Sequence, residues 1–203
     1  MRVRQHVNPL LASYDAFRGE RPALPAGCPI EVEIGCADAQ FLFERAAVDP
    51  RRTYVGLEIR TELVDLVNRR ARANRLPVVA VFCQAQKHLG EIFAPAAVDR
   101  VYINFPDPWF KRRHVERRMV DDALVVGIGE IARAGAEVLV QSDVWEVALD
   151  AMESFERRDE LFTNLAGEWT FWRAGNPYGV RSWREQNAEQ TGLPIWRIRY
   201  RRT

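Results

Sequence analysis

From residue 30 onwards, short apolar runs and amphipathic stretches take turns along this chain, and that alternation leaves few folds open. Residues 31–34 read as a short strand, 40–48 as a helix and 53–59 as a second strand. Residues 61–74 read as a helix with Leu63, Val64, Leu66, Val67 and Ala71 on one side and Arg69, Arg70 and Arg72 towards solvent. Residues 78–83 are continuously apolar, the pattern of a strand buried on both faces. A strand at 101–105, a helix at 121–133, a strand at 137–141, a helix at 144–158 and a short strand at 161–165 follow. The tail at 195–201 alternates strictly: Ile195, Arg197, Arg199 and Arg201 share one face, and Trp196, Ile198 and Tyr200 the other. Repeated strand–helix units predict an α/β sandwich around a mostly parallel sheet. The ligand crevice of such a sheet lies at the carboxyl ends of its strands.

A length of 203 residues fits one domain. We place it at 30–203, after an irregular arm at 1–29 that contains Pro9, Pro22, Pro25 and Pro29. The 29 basic and 28 acidic side chains leave a net charge of +1, so any nucleic-acid site must be a local patch. Cys28, Cys36 and Cys83 are odd in number and not closely spaced, which predicts buried thiols in a reducing cytosol rather than a disulfide framework or zinc motif. His6, His88 and His114 have no metal-ligand spacing, so no metal is expected. The N-terminal stretch lacks the apolar core of a signal peptide, and no run approaches the roughly 18 apolar residues of a membrane span. These features set the expectation of a cytoplasmic protein away from membranes.

Asp107 is the most constrained carboxylate in the chain. It stands between Pro106 and Pro108 at the end of an apolar run, with Trp109 next. Proline gives no N–H to a sheet and restricts the residue before it, so the strand must end there on a stiff turn. Lys111, Arg112, Arg113, His114, Arg117 and Arg118 follow, opposed only by Glu116. A basic run is commonly a solvated face; beside a rigid carboxylate it favours phosphate contacts. Trp109 has two open roles, stacking on a base or plugging the core. The arginine face of the tail also has two: extending the basic patch, or covering an edge strand against aggregation.

Two further strand ends carry candidate groups. Gly35 follows Glu33-Ile34 and opens a turn where backbone can approach a ligand closely, although Ala37 and Ala39 stand where a full glycine-rich loop would have glycines. Glu58 lies 23 residues after Gly35, about where an acid holds a ribose hydroxyl. The missing glycines disfavour a dinucleotide and favour a nucleotide ligand without a pyrophosphate, such as S-adenosyl-L-methionine.

Taken in order, EIGCADAQF, YVGLEI, INFPDPWFKRRHVERRMV and the closing SWREQ…GLPIWRIRY resemble the bacterial tRNA (guanine-N7) methyltransferase family over roughly residues 30–203. The resemblance implies a Rossmann-like seven-strand S-adenosylmethionine-dependent methyltransferase sandwich, mostly parallel with an antiparallel C-terminal strand. It implies methyl transfer from S-adenosyl-L-methionine to a guanine in the variable loop of tRNA. By the same resemblance Glu33, Gly35, Glu58, Gln84 and Asp107 would meet the cofactor, with Asp107 also the catalytic residue. Lys111, Asp143, Ser182 and Glu185 would bind the substrate nucleoside, and Arg112, Arg113, His114, Arg117 and Arg118 the RNA. The chain departs from the family pattern at Ala37 and Ala39, at Gln84 where an acid is usual, at Ser182 for threonine, at Arg184 for an aromatic and at Asn187 for an arginine. An alternative is therefore a divergent relative that binds RNA with lost or altered methyl transfer.

N7 of guanine has a lone pair and no proton, so its methylation needs alignment rather than a general base. Methylation leaves the purine positively charged, and Asp107, Asp143 and Glu185 are candidates to favour that charge or to accept hydrogen bonds from the guanine edge. For Asp143 and Glu185 the competing role is that of a solvated acid near a strand end.

Overall fold

A computed structural model describes residues 21–25, 27–109 and 118–203. The element order is β1 (Ile30–Ile34), α1 (Gln40–Val48), β2 (Thr53–Glu58), α2 (Thr61–Asn74), β3 (Val78–Phe82), α3 (Ala85–Ile92), β4 (Val98–Asn104), α4 (Asp122–Ile131), β5 (Ala132–Ser142), α5 (Trp145–Glu156), β6 (Phe162–Asn164), α6 (Trp183–Thr191) and β7 (Trp196–Arg202). The strands form one seven-stranded sheet in the order β3-β2-β1-β4-β5-β7-β6. Strands β1 to β5 run parallel to one another, while β7 is antiparallel to both β5 and β6. The expected sandwich with an antiparallel C-terminal strand is the fold observed. Strand order reverses between β1 and β4, which opens the ligand crevice of such a sheet at that point.

Local chemistry accounts for the elements that the sequence reading did not single out. Helix α3 buries Ala85, His88, Leu89 and Ile92 at helical spacing. Helix α6 begins at Ser182, whose Oγ accepts from the N–H of Glu185 at 3.2 Å, and stops at Gly192 in the left-handed region. The Ser-x-x-Glu spacing was the available signal for its start. Strand β5 begins at Ala132, so the helix expected to reach residue 133 ends at Ile131. Part of the N-terminal arm packs down: Arg21 donates to carbonyls of Gly90 and Glu91, and Leu24 rests against the core.

The two faces of the sheet differ chemically. On one, Val32, Ile34, Val101, Ile103, Val138, Val140, Ile198 and Tyr200 pack with α3, α4 and α5 as a continuous apolar core. On the other, the alternate residues Glu31, Glu33, Arg100, Tyr102, Asn104, Glu137, Gln141, Arg197 and Arg199 place polar groups beneath the layer that contains α1 and α2. Strand β7 lies inside the sheet, so its arginines do not cover an edge. Nor do Arg197 and Arg199 extend a solvent-facing patch: Arg197 pairs with Glu185 and Arg199 with Glu137, both at 2.8 Å.

Glu31 is the centre of this polar face. It is fully buried, and its carboxylate accepts from Arg45 Nε and Nη2 (3.1 and 3.0 Å), Arg100 Nη1 (2.6 Å) and the Tyr102 hydroxyl (2.8 Å). Arg45 also reaches the Tyr178 carbonyl at 2.6 Å, and Arg100 sits over the Tyr178 ring. Removing Glu31 would leave Arg45 and Arg100 without the counter-charge on which they converge. Glu31→Ala is therefore expected to cost roughly 3–5 kcal/mol of stability, read as a lower midpoint in urea denaturation.

Candidate active site

The cleft opens where β1, β2, β3 and β4 end. Gly35, Glu58, Arg60, Gln84, Asn104, Asp107, Trp109 and Met119 are among the residues that line it. The β1–α1 turn is held against β2: the N–H groups of Gly35 and Cys36 both donate to the Leu57 carbonyl, at 2.9 and 3.1 Å. Gly35 has φ +75°, a conformation that favours glycine, and a Cβ there would also push aside the Met119 methyl, 2.9 Å away. Cys36 is packed so closely on Gly56 that a Cβ at residue 56 would lie 2.5 Å from its sulfur. Burial, then the charges of Glu33 and Glu58, push the Cys36 thiol well above its usual range, so it stays protonated and is no nucleophile.

Ala37 and Ala39 adopt φ 50° and 54°, the left-handed conformation that glycine takes without penalty. The loop keeps a glycine-loop backbone without the glycines, at the cost of steric strain at both Cβ atoms. The departure that motivated a divergent, inactive relative thus leaves the backbone path intact. Phe105 and Trp109 are also left-handed, at 50° and 43°, on either side of Pro106-Asp107-Pro108. The Phe105 N–H is bound to the Gln141 carbonyl at 2.7 Å, which anchors this turn to β5. Strain gathered in this way around a cleft is a mark of functional turns.

Glu58 is more occupied than expected. Its carboxylate accepts the backbone N–H groups of Ala37 (3.0 Å), Ile59 (2.8 Å) and Arg60 (3.1 Å), together with Arg60 Nε (2.9 Å) and Nη2 (2.7 Å). Those donors fill the acceptor capacity of one carboxylate. Ligand hydroxyls would reach Glu58 in exchange for the Arg60 side chain. The Arg60 guanidinium also feels the charge of Asp107. It thus belongs electrostatically to both acids of the cleft, a role its position two residues past a strand end did not signal.

Glu33 is buried, with Oε1 accepting from Asn104 Nδ2 at 2.8 Å and Oε2 without a hydrogen-bond partner among the described residues. Burial raises its pKa from 4.5 to about 8, offset in part by the Asn104 hydrogen bond and reinforced by Asp38 and Glu58. An orphaned buried oxygen of this kind fits a ligand that brings a cationic N–H donor. Gln84 caps the start of α3 by position and lines the same cleft.

The residues expected to meet the substrate divide into two groups. Asp143, directly after β5, is paired with Arg184 Nη2 at 2.8 Å, so the arginine that replaces the family's aromatic holds the acid. Ser182 caps α6, and Glu185 is fully buried beneath it, bound to Arg197, Gln141 and Asn176. Neither acid has the surroundings of a solvated surface carboxylate. Lys111, Arg112, Arg113, His114 and Arg117 lie outside the described residues. Arg118 ends that segment; it pairs with Asp150 of α5 and donates to the Pro108 carbonyl at 3.3 Å, which ties the basic segment's exit to the Pro-Asp-Pro turn. Among the described residues no group of three or more His, Cys, Asp or Glu side chains is placed to hold a metal ion, and no helix is long and apolar enough to cross a membrane.

Comparison with known proteins agrees with this geometry. Residues 28–198 match the model of a family described as "Putative methyltransferase". The chain is 40% identical to a tRNA (guanine-N(7)-)-methyltransferase of a Synechococcus species, over 98% of this chain and 87% of that protein. It is 38% identical to the protein of the same name from Thermosynechococcus vestitus, over 100% and 95%. Among solved structures, the 16S rRNA methyltransferase KamB superposes with TM-score 0.63 at 13% identity, over 86% of this chain and 88% of that one. A geranyl diphosphate C-methyltransferase from Streptomyces coelicolor, solved with S-adenosyl-L-homocysteine, gives TM-score 0.54 at 13% identity, over 90% and 76%. The two structural likenesses concern the fold.

The acid at residue 33 makes stability pH-dependent in a defined direction. A folded-state pKa raised from 4.5 to about 8 means that folding holds the proton. The group's stabilising contribution is full below about pH 4.5 and lost as pH rises to about 8. Glu33→Gln should therefore melt close to wild type near pH 4 and clearly above it near pH 9, by differential scanning fluorimetry. At residue 37, relief of left-handed strain outweighs glycine's added chain entropy, so Ala37→Gly should raise the melting temperature by about 2 °C.

Proposed function

The chain belongs to the tRNA (guanine-N7)-methyltransferase family, and from that membership we propose that it transfers a methyl group from S-adenosyl-L-methionine to N7 of a guanine in tRNA. The observation that carries the reading within this structure is the cleft at the β1/β4 switch point, with an orphaned acid, Glu33, beneath it and Asp107 on a strained Pro-Asp-Pro turn at its rim. When bound, the cofactor supplies an electrophilic methyl group on a sulfonium centre. Glu33 would hold its ammonium group, Glu58 its ribose and Gln84 its adenine, while the Gly35 turn lets the backbone approach. Ribose hydroxyls at Glu58 would take the place that the Arg60 side chain holds there.

N7 carries no proton, so the residues have only to orient the base and favour its new charge. Asp107 would do both; the anchoring of its turn to β5 through the Phe105 N–H supports that reading. Asp143 would accept from the guanine edge, with Arg184 fixing its orientation. The basic segment after Trp109 would contact RNA phosphates, with Arg118 as its anchored end. We place that work in the cytoplasm.

Purified protein incubated with the cofactor and unmodified tRNA should yield 7-methylguanosine by nucleoside mass spectrometry. Asp107→Asn, which removes the charge and keeps the shape, should lower kcat by about a hundredfold or more while the cofactor still raises the melting temperature. A folded protein that binds the cofactor and methylates no tRNA would refute the proposal in favour of an RNA-binding relative without methyl transfer.

A further inference from the structure

Gln141 does not line the cleft, yet it connects the two acids that the reaction would use. It is fully buried on β5, in register with Asn104 of β4 and Arg197 of β7. Its Nε2 donates to Asn104 Oδ1 at 2.8 Å and to Glu185 Oε2 at 2.9 Å, and its Oε1 accepts from Arg197 Nε at 3.0 Å. Asn104 passes the chain on by donating to Glu33 Oε1 at 2.8 Å. Glu185 is closed on its far side by Arg197 Nη2 at 2.8 Å and Asn176 Nδ2 at 3.0 Å.

Every bond in this chain has a fixed direction. The direction is set from the Arg197 end, because a guanidinium only donates. Gln141 must therefore turn its oxygen to Arg197 and its NH2 to Asn104 and Glu185, which leaves Asn104 with its oxygen to Gln141 and its NH2 to Glu33. Only an amide supplies two donors and an acceptor at this place. An apolar side chain would suit a central strand as well for packing, but it could not set the orientation of either acid.

We propose that Gln141 is a positioning residue for methyl transfer: it holds Glu33, on the cofactor side, and Glu185, on the substrate side, in one fixed mutual geometry. This rests on the function proposed above. Transfer between two bound molecules is sensitive to small misplacements, so losing the link costs rate even where both ligands still bind.

The test compares wild type, Gln141→Leu, Glu185→Gln and the double variant. The readings are melting temperature, kcat and KM for tRNA, and S-adenosyl-L-methionine affinity by calorimetry as a function of pH. Gln141→Leu should lower kcat/KM for tRNA roughly tenfold or more, the equivalent of one buried hydrogen bond to a charge. In the Glu185→Gln background the same substitution should cost clearly less, because the shared link is already broken. The pH midpoint of cofactor binding should move upward, because Glu33 loses the fixed Asn104 donor that favours its ionised form. A variant that only melts earlier, with kcat/KM, coupling and midpoint unchanged, overturns the inference. Should Gln141→Leu fail to fold, Gln141→Met, close to glutamine in length and without a charge, also lacks both donors and decides by the same readings. A wild-type protein that binds cofactor without methylating tRNA sinks the proposed function, and the inference with it.

Discussion

The buried Glu31 carboxylate is the interaction on which the rest of the structure depends. A β-strand in the middle of a parallel sheet is ordinarily apolar on both faces. Here β1 is apolar on one face only, and its other face carries two acids, Glu31 and Glu33. Glu31 is tolerable because Arg45 from α1, Arg100 and Tyr102 from β4 converge on it with hydrogen-bonding geometry. The same contacts fix α1 and β4 against β1. They therefore set the switch point of the sheet, and with it the two turns that form the cleft. Glu33, one pleat further on, has Asn104 rather than a cation as its partner among the described residues. Its pKa rises instead, and one oxygen is left without a partner at the place where a ligand would bind.

The site is built from strained backbone held by ordinary structure. Ala37 and Ala39 take up the left-handed conformation because the Ala37 N–H is bound to Glu58, and the Gly35 and Cys36 N–H groups to Leu57. Phe105 does so with its N–H bound to Gln141. In each case hydrogen bonds to a neighbouring strand hold the backbone in place against an unfavourable φ, so the cleft's walls are set by the sheet. The family glycines are thus not strictly necessary. A small side chain suffices where the surrounding bonds over-determine the turn.

Much of this was legible in the sequence. The switch from period two to helical spacing located most strands and helices, and the Pro-Asp-Pro-Trp turn and Glu58 fell at strand ends as expected. Other parts were not legible, for identifiable reasons. The arginines of the tail looked like a surface stripe because their partners, Glu137 and Glu185, are 62 and 12 residues away. Glu185 read as a substrate group or a solvated acid, and it is buried beneath the helix whose cap it belongs to. Arg60 and Gln141 carried no motif at all; each matters only through groups that the sheet brings beside it.

The amino-acid sequence by itself determined the fold class and the position of the cleft along the chain, because periodicity and proline chemistry act over a few residues; the family came from the resemblance of its motifs. Tertiary structure alone decided which charges face solvent and which are buried in pairs, that β7 lies inside the sheet, and that Glu33 and Glu185 are joined through Asn104 and Gln141. Those properties depend on strand order and register. Register pairs residues dozens of positions apart, and no local pattern of side chains records which strand will become whose neighbour.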